Sequence, residues 1–500
     1  MGLSLVHSRA RVGARAPAVQ VEVHVGGGLP TMSIVGLPQA AVREAKDRVR
    51  AAIHNAQFEF PNGRITVNLA PADLPKSGGR FDLPIALGVL AASGQIPNAA
   101  LRDVEFVGEL GLTGELRAVD GVLPATLAAA EAKRRLIVPA ANGAEAALAD
   151  AADVLVARTL LEVCGALTGA KRLPPPDRIA TRERHVPDLD EVRGQAQARR
   201  ALEIAAAGQH HVLFVGTPGC GKTMLASRLP GLLPEASEDE AMASASIASV
   251  SGRGFDASAW RTRPFRSPHH GTSAVALVGG GPDARPGEVS LAHNGVLFLD
   301  ELPEWSRASL QMLREPLESG VVTIARAARR CDYPARFQLV AAMNPCPCGW
   351  AGDPADRCRC TPQQIQTYLA KISGPLLDRI DLHVDVPRLP PSVLREDAQR
   401  GESSAVVRER VVQARARQWA RTGCANAHLD QRQTDAHCRL ASEDRQLLER
   451  AIEALHLSAR SLHRILRVAR TIADLEGCEA IGTAHLTEAI GYRRLERGTS

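Results

Sequence analysis

Aromatic residues are scarce in this chain, at 3% of 500 residues. Its cores must therefore be aliphatic, built on Ala, Leu, Val and Ile. Lysine is scarce too: only Lys46, Lys76, Lys133, Lys171, Lys222 and Lys371 occur, within a Lys+Arg total of 60. A compositional pressure toward Arg gives that pattern, so the arginines are not read as functional in bulk. Long apolar runs are missing. The longest, Leu83 to Ala92, is half of the ~20 residues that a membrane span needs. The N-terminus lacks a signal-peptide core, and position 6 is Val6 rather than the Ser or Thr of a myristoylation site. The expectation is a cytoplasmic chain with no membrane partner. Its ten cysteines are then thiols or metal ligands rather than disulfides.

What is present is ordinary in bulk. Hydrophobic residues at 45% and charged residues at 23% fit a globular protein. The length suggests about three domains. The net charge of +5 is compatible with nucleic acid without demanding it.

One stretch organises the rest. Val212-Leu213-Phe214-Val215 reads as a buried strand, and Gly216-Thr217-Pro218-Gly219-Cys220-Gly221-Lys222-Thr223 matches G-x-x-x-x-G-K-[ST]. Met224-Leu225-Ala226 then opens an apolar-periodic helix. That order is the context a phosphate loop needs. Its glycines let backbone N–H groups turn toward a polyphosphate at a helix N-terminus. Lys222 would reach the β- and γ-phosphates, and the Thr223 hydroxyl would ligate Mg²⁺. A chance glycine-rich turn is the alternative, and the flanking strand and helix argue against it. In Gly295-Val296-Leu297-Phe298-Leu299-Asp300-Glu301 a second apolar strand ends in two carboxylates. Asp300 would hold Mg²⁺ through water, and Glu301 would act as general base. A third strand, Phe337 to Met343, ends in Asn344, where doubly wound sheets place ligand contacts.

Residues 1 to about 165 alternate strand and helix patterns. Strands are expected at Val21–Val25, Ile65–Leu69, Phe106–Leu110 and Leu136–Val138, and helices at Ala40–Phe58 and Asp82–Ala92. Residues 166–187, with Leu173-Pro174-Pro175-Pro176 and the charged run Arg182 to His185, read as a stiff linker. Residues 188–392 carry the phosphate motifs, with a helix expected from Asp188 through Ala206. Residues 393–500 read as all helical, with helices over Ser403–Thr422, Ser442–Leu455 and Arg460–Leu475 and a last one capped by Thr483.

On the stretches Val35-Gly36-Leu37-Pro38, Ala70-Pro71-Ala72-Asp73-Leu74-Pro75-Lys76 and Gly114-Glu115-Leu116, the first block resembles the N-terminal domain of the Mg-chelatase-like ComM/YifB family, itself related to the Lon proteolytic domain. With the phosphate motifs the resemblance covers essentially the whole chain. It implies a multidomain α/β protein: a Lon-protease-like α+β N-terminal domain, an AAA+ parallel-sheet ATPase core and an all-α C-terminal lid. In the Lon overlay the serine position falls at Arg80 and the lysine position near Leu123. No serine–lysine dyad follows, with Ser77 and Lys76 as nearest substitutes, so no peptidase activity is expected. The resemblance further implies that Val192 and Gln195, within Val192 to Gln195, lie at the base. It makes Asn344 the sensor, Arg379 the arginine finger and Arg460 the second sensor, with Arg464 and Arg467 as alternates. For Arg379 a surface salt bridge to Asp378 or Asp381 is the alternative.

Two inserted stretches, Ser249–Pro268 with Arg253, Arg261, Arg263 and Arg266, and the hairpin Val321–Phe337 with Arg326, Arg329 and Arg330, resemble pore loops. Arginine carried into a channel suits a phosphate backbone, against the alternative of solvated loop charge. His269-His270 lacks partners at zinc spacing, so a structural or DNA-facing role is favoured. Cys346-Pro347-Cys348 and Cys358-Arg359-Cys360 supply four thiolates for a tetrahedral Zn²⁺, or stay free buried thiols. Cys220 inside the loop suggests sensitivity to oxidation.

The resemblance implies an ATP- and Mg²⁺-dependent homo-hexameric ring, a motor on single-stranded or branched DNA that drives branch migration in natural transformation beside recombination proteins. The rival class is a Mg-chelatase-like ATPase that remodels a protein without DNA. A third is a non-catalytic binding module, against which the intact motifs argue.

Overall fold

The computed structural model describes residues 2–36, 42, 44–182, 186–326, 329–353, 355–390, 393, 400–455 and 458–493. The first block is a mixed sheet of seven strands. These are β1 (Gly2–Arg9), β2 (Ala18–Gly26), β3 (Thr31–Val35), β4 (Arg64–Ala70), β5 (Val104–Phe106), β6 (Arg135–Pro139) and β7 (Val154–Ala157), in the order β3-β4-β2-β1-β5-β6-β7. Strand β2 pairs antiparallel with β1 and β4. Val19, Val21 and Val23 point inward along it, the period-two signal that its sequence carries. Helices α1 (Ala45–Asn55), α2 (Asp82–Ala92), α3 (Val122–Glu131) and α4 (Leu160–Leu167) cover the sheet. Every residue of α2 is buried, as its all-round apolar sequence requires. Gly88 lets α2 close on β2, since a Cβ there would stand 2.5 Å from Val23 Cγ2.

Some expectations shift. Of the helix expected at Ala40–Phe58, α1 covers Ala45–Asn55 and ends where Gln57 takes φ +64; Leu37, Pro38, Ala40, Ala41 and Arg43 lie outside the described residues. The strand expected at Phe106–Leu110 divides into β5 and a short Glu109–Leu110 strand paired with Leu116–Arg117. Strands β1, β3 and β7 were not expected. The segment from 166 begins inside α4, and its proline run lies on the first block: Leu173 is buried there and Pro174 O accepts from Val156 N. Of Arg182 to His185, residues 183–185 lie outside the described residues.

The second block holds a five-stranded parallel sheet, β9-β10-β13-β8-β14. Its strands are β8 (Val212–Val215), β9 (Phe265–Arg266), β10 (Val296–Leu299), β13 (Gln338–Met343) and β14 (Leu382–Asp385), with the hairpin β11 (Val321–Arg326) and β12 (Arg329–Pro334) beside it. The strands β8, β10 and β13 read as short, mostly apolar runs, as buried parallel strands do. Helices α5 (Ala196–Gly208), α6 (Lys222–Leu232), α7 (Glu238–Ser249), α8 (Arg314–Ser319) and α9 (Pro362–Leu369) surround them. The helix expected from Asp188 starts later. Asp188 caps a single 3₁₀ turn at Leu189–Glu191, then Gly194 (φ +58) and Gln195 (φ +50) break the path before α5.

The last block is helical: α10 (Ser404–Thr422), α11 (Gln431–His437), α12 (Ser442–Leu455), α13 (Ala459–Leu475) and α14 (Thr483–Gly491). Gly482, not Thr483, holds the cap position of α14; the Thr483 hydroxyl instead donates to Asp444 at 2.6 Å. One apolar cluster joins Phe214 and Leu225 of the core to Val407, Ile465 and Ile472 of these helices. The first block meets the second through Gly121 N, which donates to Ser249 O at 2.9 Å, and through Glu145, which accepts from Ser249 Oγ.

Candidate active site

The chain leaves β8 at Val215 and turns at once. Gly216 is required there, because a Cβ would stand 2.3 Å from Val386 O. Gly219 (φ +77) and Gly221 (φ +98) hold the left-handed turns before α6. A Cβ on Gly219 would meet nothing within 4 Å, so that side of the loop is open. Inside the loop, Lys222 Nζ donates to Gly216 O (2.7 Å), Thr217 O (3.1 Å) and Asn344 Oδ1 (3.0 Å). Thr223 Oγ1 donates to Asp300 Oδ2 at 2.9 Å. Three parallel strands, β8, β10 and β13, thus end together and bring Lys222 to Asn344 and Thr223 to Asp300, side by side at the start of α6.

Glu301 follows Asp300 at φ +51, a left-handed conformation rare for a residue with a side chain and frequent at functional sites. Its N–H donates to Asp300 Oδ1 (2.9 Å), and Trp305 Nε1 donates to Asp300 O (3.0 Å), which fixes the turn. The Glu301 carboxylate is half exposed and stands 2.9 Å from His270 Nδ1. His269-His270, expected as structural or DNA-facing, therefore reaches the general-base candidate. No spacing rule signals this contact, because 31 positions of chain separate the two residues and only the fold closes the gap.

These groups fit a nucleoside triphosphate with Mg²⁺. Thr217 Oγ1 is buried with no partner among the described residues, and the open face of Gly219 adjoins the N-terminus of α6. Thr223 and Asp300 would hold the Mg²⁺, which when bound would neutralise phosphate charge. Burial pushes the Cys220 thiol up, with Lys222 opposing. Val192 and Gln195 are also placed differently from a direct base contact. Val192 is fully enclosed in the core, and Gln195 Nε2 donates to Pro387 O (2.8 Å) and Cys220 O (3.3 Å), bracing the loop from behind.

Arg379 and Arg460 lie at the other end of the sheet. Asp381 N donates to His211 O, the residue before β8, whereas the phosphate loop follows the last residue of β8. Five residues of extended chain separate the two ends, roughly 16 Å, more than one side chain can span. Arg379 is buried and pairs with Glu318 at the end of α8. The alternative pairing with Asp378 or Asp381 does not form: Asp381 binds Arg464 Nη1 at 2.6 Å. Burial works against the Asp381 charge, yet Arg464 and His210 hold it well below the usual carboxylate range. Arg464 Nη1 also donates to Arg379 O (3.0 Å), and exposed Arg460 stands one turn earlier on α13. Arg467, the other alternate, turns inward to Ala427 O (3.2 Å) and Thr434 Oγ1 (3.3 Å).

The arginines of the first insert have carboxylate and carbonyl partners within the fold. Arg253 and Arg266 both pair with Glu288, Arg261 stands 3.5 Å from Glu238, and buried Arg263 binds Glu240, Pro234 O and Asn294 O. The hairpin β11–β12 does form where expected, with Arg326 opposite Arg329 at its tip and Arg330 exposed. In the first block, Arg80 donates to the carbonyls of Asp120 (3.2 Å) and Gly121 (3.4 Å). Lys76 is buried with Nζ on Pro71 O, and Leu123 is buried.

A parallel sheet in this order, its phosphate loop on the second strand from the edge and a helical lid packed behind, is the core of an AAA+ ATPase of the magnesium-chelatase type. Family models agree: "Magnesium chelatase, subunit ChlI" matches residues 188–394, "Subunit ChlI of Mg-chelatase" residues 21–142, and the ChlI C-terminal model residues 401–493. Competence protein ComM of Haemophilus influenzae is 52% identical over 99% of this chain and 98% of its own length. Protein YifB of Escherichia coli is 50% identical over 99% and 98%. A shorter match, 27% identical over 28% of this chain and 14% of the other, is to DNA replication licensing factor MCM4 of Drosophila melanogaster. The chain belongs to the ComM/YifB family of Mg-chelatase-like AAA+ ATPases. Among the described residues no helix is long and apolar enough to cross a membrane.

Proposed function

We propose that this chain hydrolyses ATP in a homo-hexameric ring and uses the turnover to move DNA, driving branch migration of recombination intermediates in natural transformation. The carrying observation is the split of the catalytic set: Lys222, Thr223, Asp300, Glu301 and Asn344 lie at one end of the sheet, Arg379 and Arg460 at the other. Arg379 and Arg460 then serve the nucleotide of the next subunit, because they cannot reach their own. To do so Arg379 exchanges Glu318 for phosphate and stabilises the charge that develops in transfer. Glu301 takes the proton of the attacking water, and Asn344 positions that water beside Lys222. The cofactors are ATP with Mg²⁺, and Zn²⁺ at the cysteine cluster. The DNA assignment is supported by the name of the H. influenzae relative and by the arginine-bearing tip of β11–β12. The N-terminal domain is of the Lon type without peptidase activity, since Arg80 and Leu123 stand where a nucleophile and base would be needed. The chain works in the cytoplasm.

Turnover measured with and without single-stranded and four-way branched DNA at low salt tests this reading. Stimulation together with ATP-dependent branch migration supports it, and indifference to both DNAs refutes it. One observation favours the rival protein-remodelling reading: the carboxylate pairing of Arg253, Arg261 and Arg266 leaves little free cation on the first insert. Indifference to DNA would decide for that reading.

A further inference from the structure

The four cysteines after Asn344 form a cluster that the reaction above does not use. All four sulfurs lie within 4.8 Å of one another. Cys346 and Cys348 stand 3.8 and 3.7 Å from Cys358, and 3.3 Å from each other. A tetrahedral Zn²⁺ with Zn–S of about 2.3 Å has sulfurs about 3.8 Å apart. Cys346 Sγ also accepts a backbone N–H, from Ala351 at 3.2 Å. An amide aimed at a sulfur suits a thiolate, because it disperses negative charge that the metal only partly offsets. The intervening loop is itself held, with Arg357 bidentate on Asp353 (2.6 and 3.1 Å) and its guanidinium carbon 3.5 Å from the centre of the Trp350 ring.

The position of the cluster gives it a task. Cys346 is two residues after Asn344, whose side chain accepts from Lys222. Gly349, at φ +84 inside the first knuckle, lies against the phosphate loop: a Cβ there would stand 2.7 Å from Pro218 Cδ and Cγ, and 3.8 Å from Asn344 Cγ. Cys360 directly precedes Thr361, which caps α9 in a capping box with Gln364. The second knuckle therefore fixes the start of that helix.

We propose that Zn²⁺ bound by Cys346, Cys348, Cys358 and Cys360 is a clasp on the ATP site: it holds Gly349 against Pro218 and Asn344 against Lys222, so that loss of the metal weakens nucleotide binding. The clasp rests on the reading of Gly216–Thr223 as the ATP site, and the zinc itself does not.

The test uses the full chain. Elemental analysis for zinc and iron, with thiol titration of the unfolded chain before and after chelation, should give about one zinc per chain and four thiols that react only once the metal is removed. Cys348→Ser and Cys358→Ser should each lose the zinc, whereas Cys331→Ser, in a hairpin core apart from the cluster, should keep it. Binding of a fluorescent ATP analogue with Mg²⁺ should weaken about tenfold in the zinc-free variants, the lower end of what loss of a supporting shell costs a site. Gly349→Ala guards against a simple folding defect: it should keep its zinc and still bind ATP more weakly, because its Cβ displaces Pro218. Metal absent from the wild type with four reactive thiols, or iron in place of zinc, overturns the site. Zinc present and removable with unchanged ATP affinity overturns the clasp. A wild type that carries zinc but binds no ATP overturns the ATP-site reading and the clasp with it.

Discussion

Replacing Arg379 by alanine removes a guanidinium at the end of the sheet opposite Lys222. Within one chain this should leave ATP binding intact, since the bonds of Lys222 with Asn344 and of Thr223 with Asp300, at 3.0 and 2.9 Å, include no atom of Arg379. Glu318 loses its partner but is half exposed, so water takes over and the fold survives. Turnover should nevertheless fall by about 10³-fold, the size of an arginine-finger contribution. Lys222→Ala should be inactive for the opposite reason, with an intact Arg379 and no phosphate grip. The two inactive chains, mixed before assembly, make the decisive assay. In a head-to-tail ring each site takes its loop from one chain and its arginine from the next. At equal mixing, a competent site needs an Arg379→Ala loop beside a Lys222→Ala neighbour, about one interface in four. Activity should therefore rise from near zero in either parent to about a quarter of wild type where interfaces act independently, and lower but above both parents where they are coupled. No gain on mixing, with both chains assembled, would refute the shared site and require Arg379 to act within its own subunit or not at all.

Glu301→Gln keeps the shape and the His270 contact but removes the proton acceptor. Turnover should drop about 10²–10⁴-fold with ATP affinity nearly unchanged; a variant that turns over ATP at the wild-type rate sinks the assignment of the base. Acid should destabilise the chain. Burial holds His211 and His293 down to about 4, and each accepts a backbone N–H at Nδ1, from Leu339 and Arg336 at 3.0 Å. Below about 6.5 the unfolded chain binds protons that the native rings refuse. Stability is therefore full above 6.5 and is lost as pH falls toward 4, by up to about 3 kcal/mol for each ring. Denaturant midpoints at pH 7.5 and 5 measure this, and an equal or higher midpoint at pH 5 contradicts it. Arg9→Met should cost about 3–5 kcal/mol, because it strands fully buried Glu105, now held at 2.6 and 2.8 Å, with only Arg134 at 3.4 Å left. A shift in melting temperature within error would show that Glu105 is neutralised by other means.

Some of this was readable along the chain. The phosphate loop, the Asp300–Glu301 strand end and Asn344 each combine a short apolar run with a functional group at its C-terminal end, and parallel strands bring such ends together. The all-apolar stretch 82–92 gave a helix buried on every side. The strands β1, β3 and β7 escaped because their partners, not their own alternation, make them strands: β1 is held by β2 on one side and β5 on the other. The partners of the insert arginines were not legible, because charge in a loop carries no sign of the carboxylate that answers it, and Glu288 lies 22 positions or more from Arg266 and Arg253.

The sequence by itself pointed to a nucleoside triphosphate site and to the residues proposed to hold its phosphates and metal, since those groups follow from local backbone geometry and fixed spacing. It also supplied the four cysteines, whose convergence is local. Only the tertiary structure decided that His270 reaches Glu301, that Gly349 rests on Pro218, and that Arg379 and Arg460 stand a full strand length from the loop. Those relations depend on how parallel strands are ordered and which of their ends coincide. Strand order is set by burial of the whole sheet, not by any stretch of residues within it.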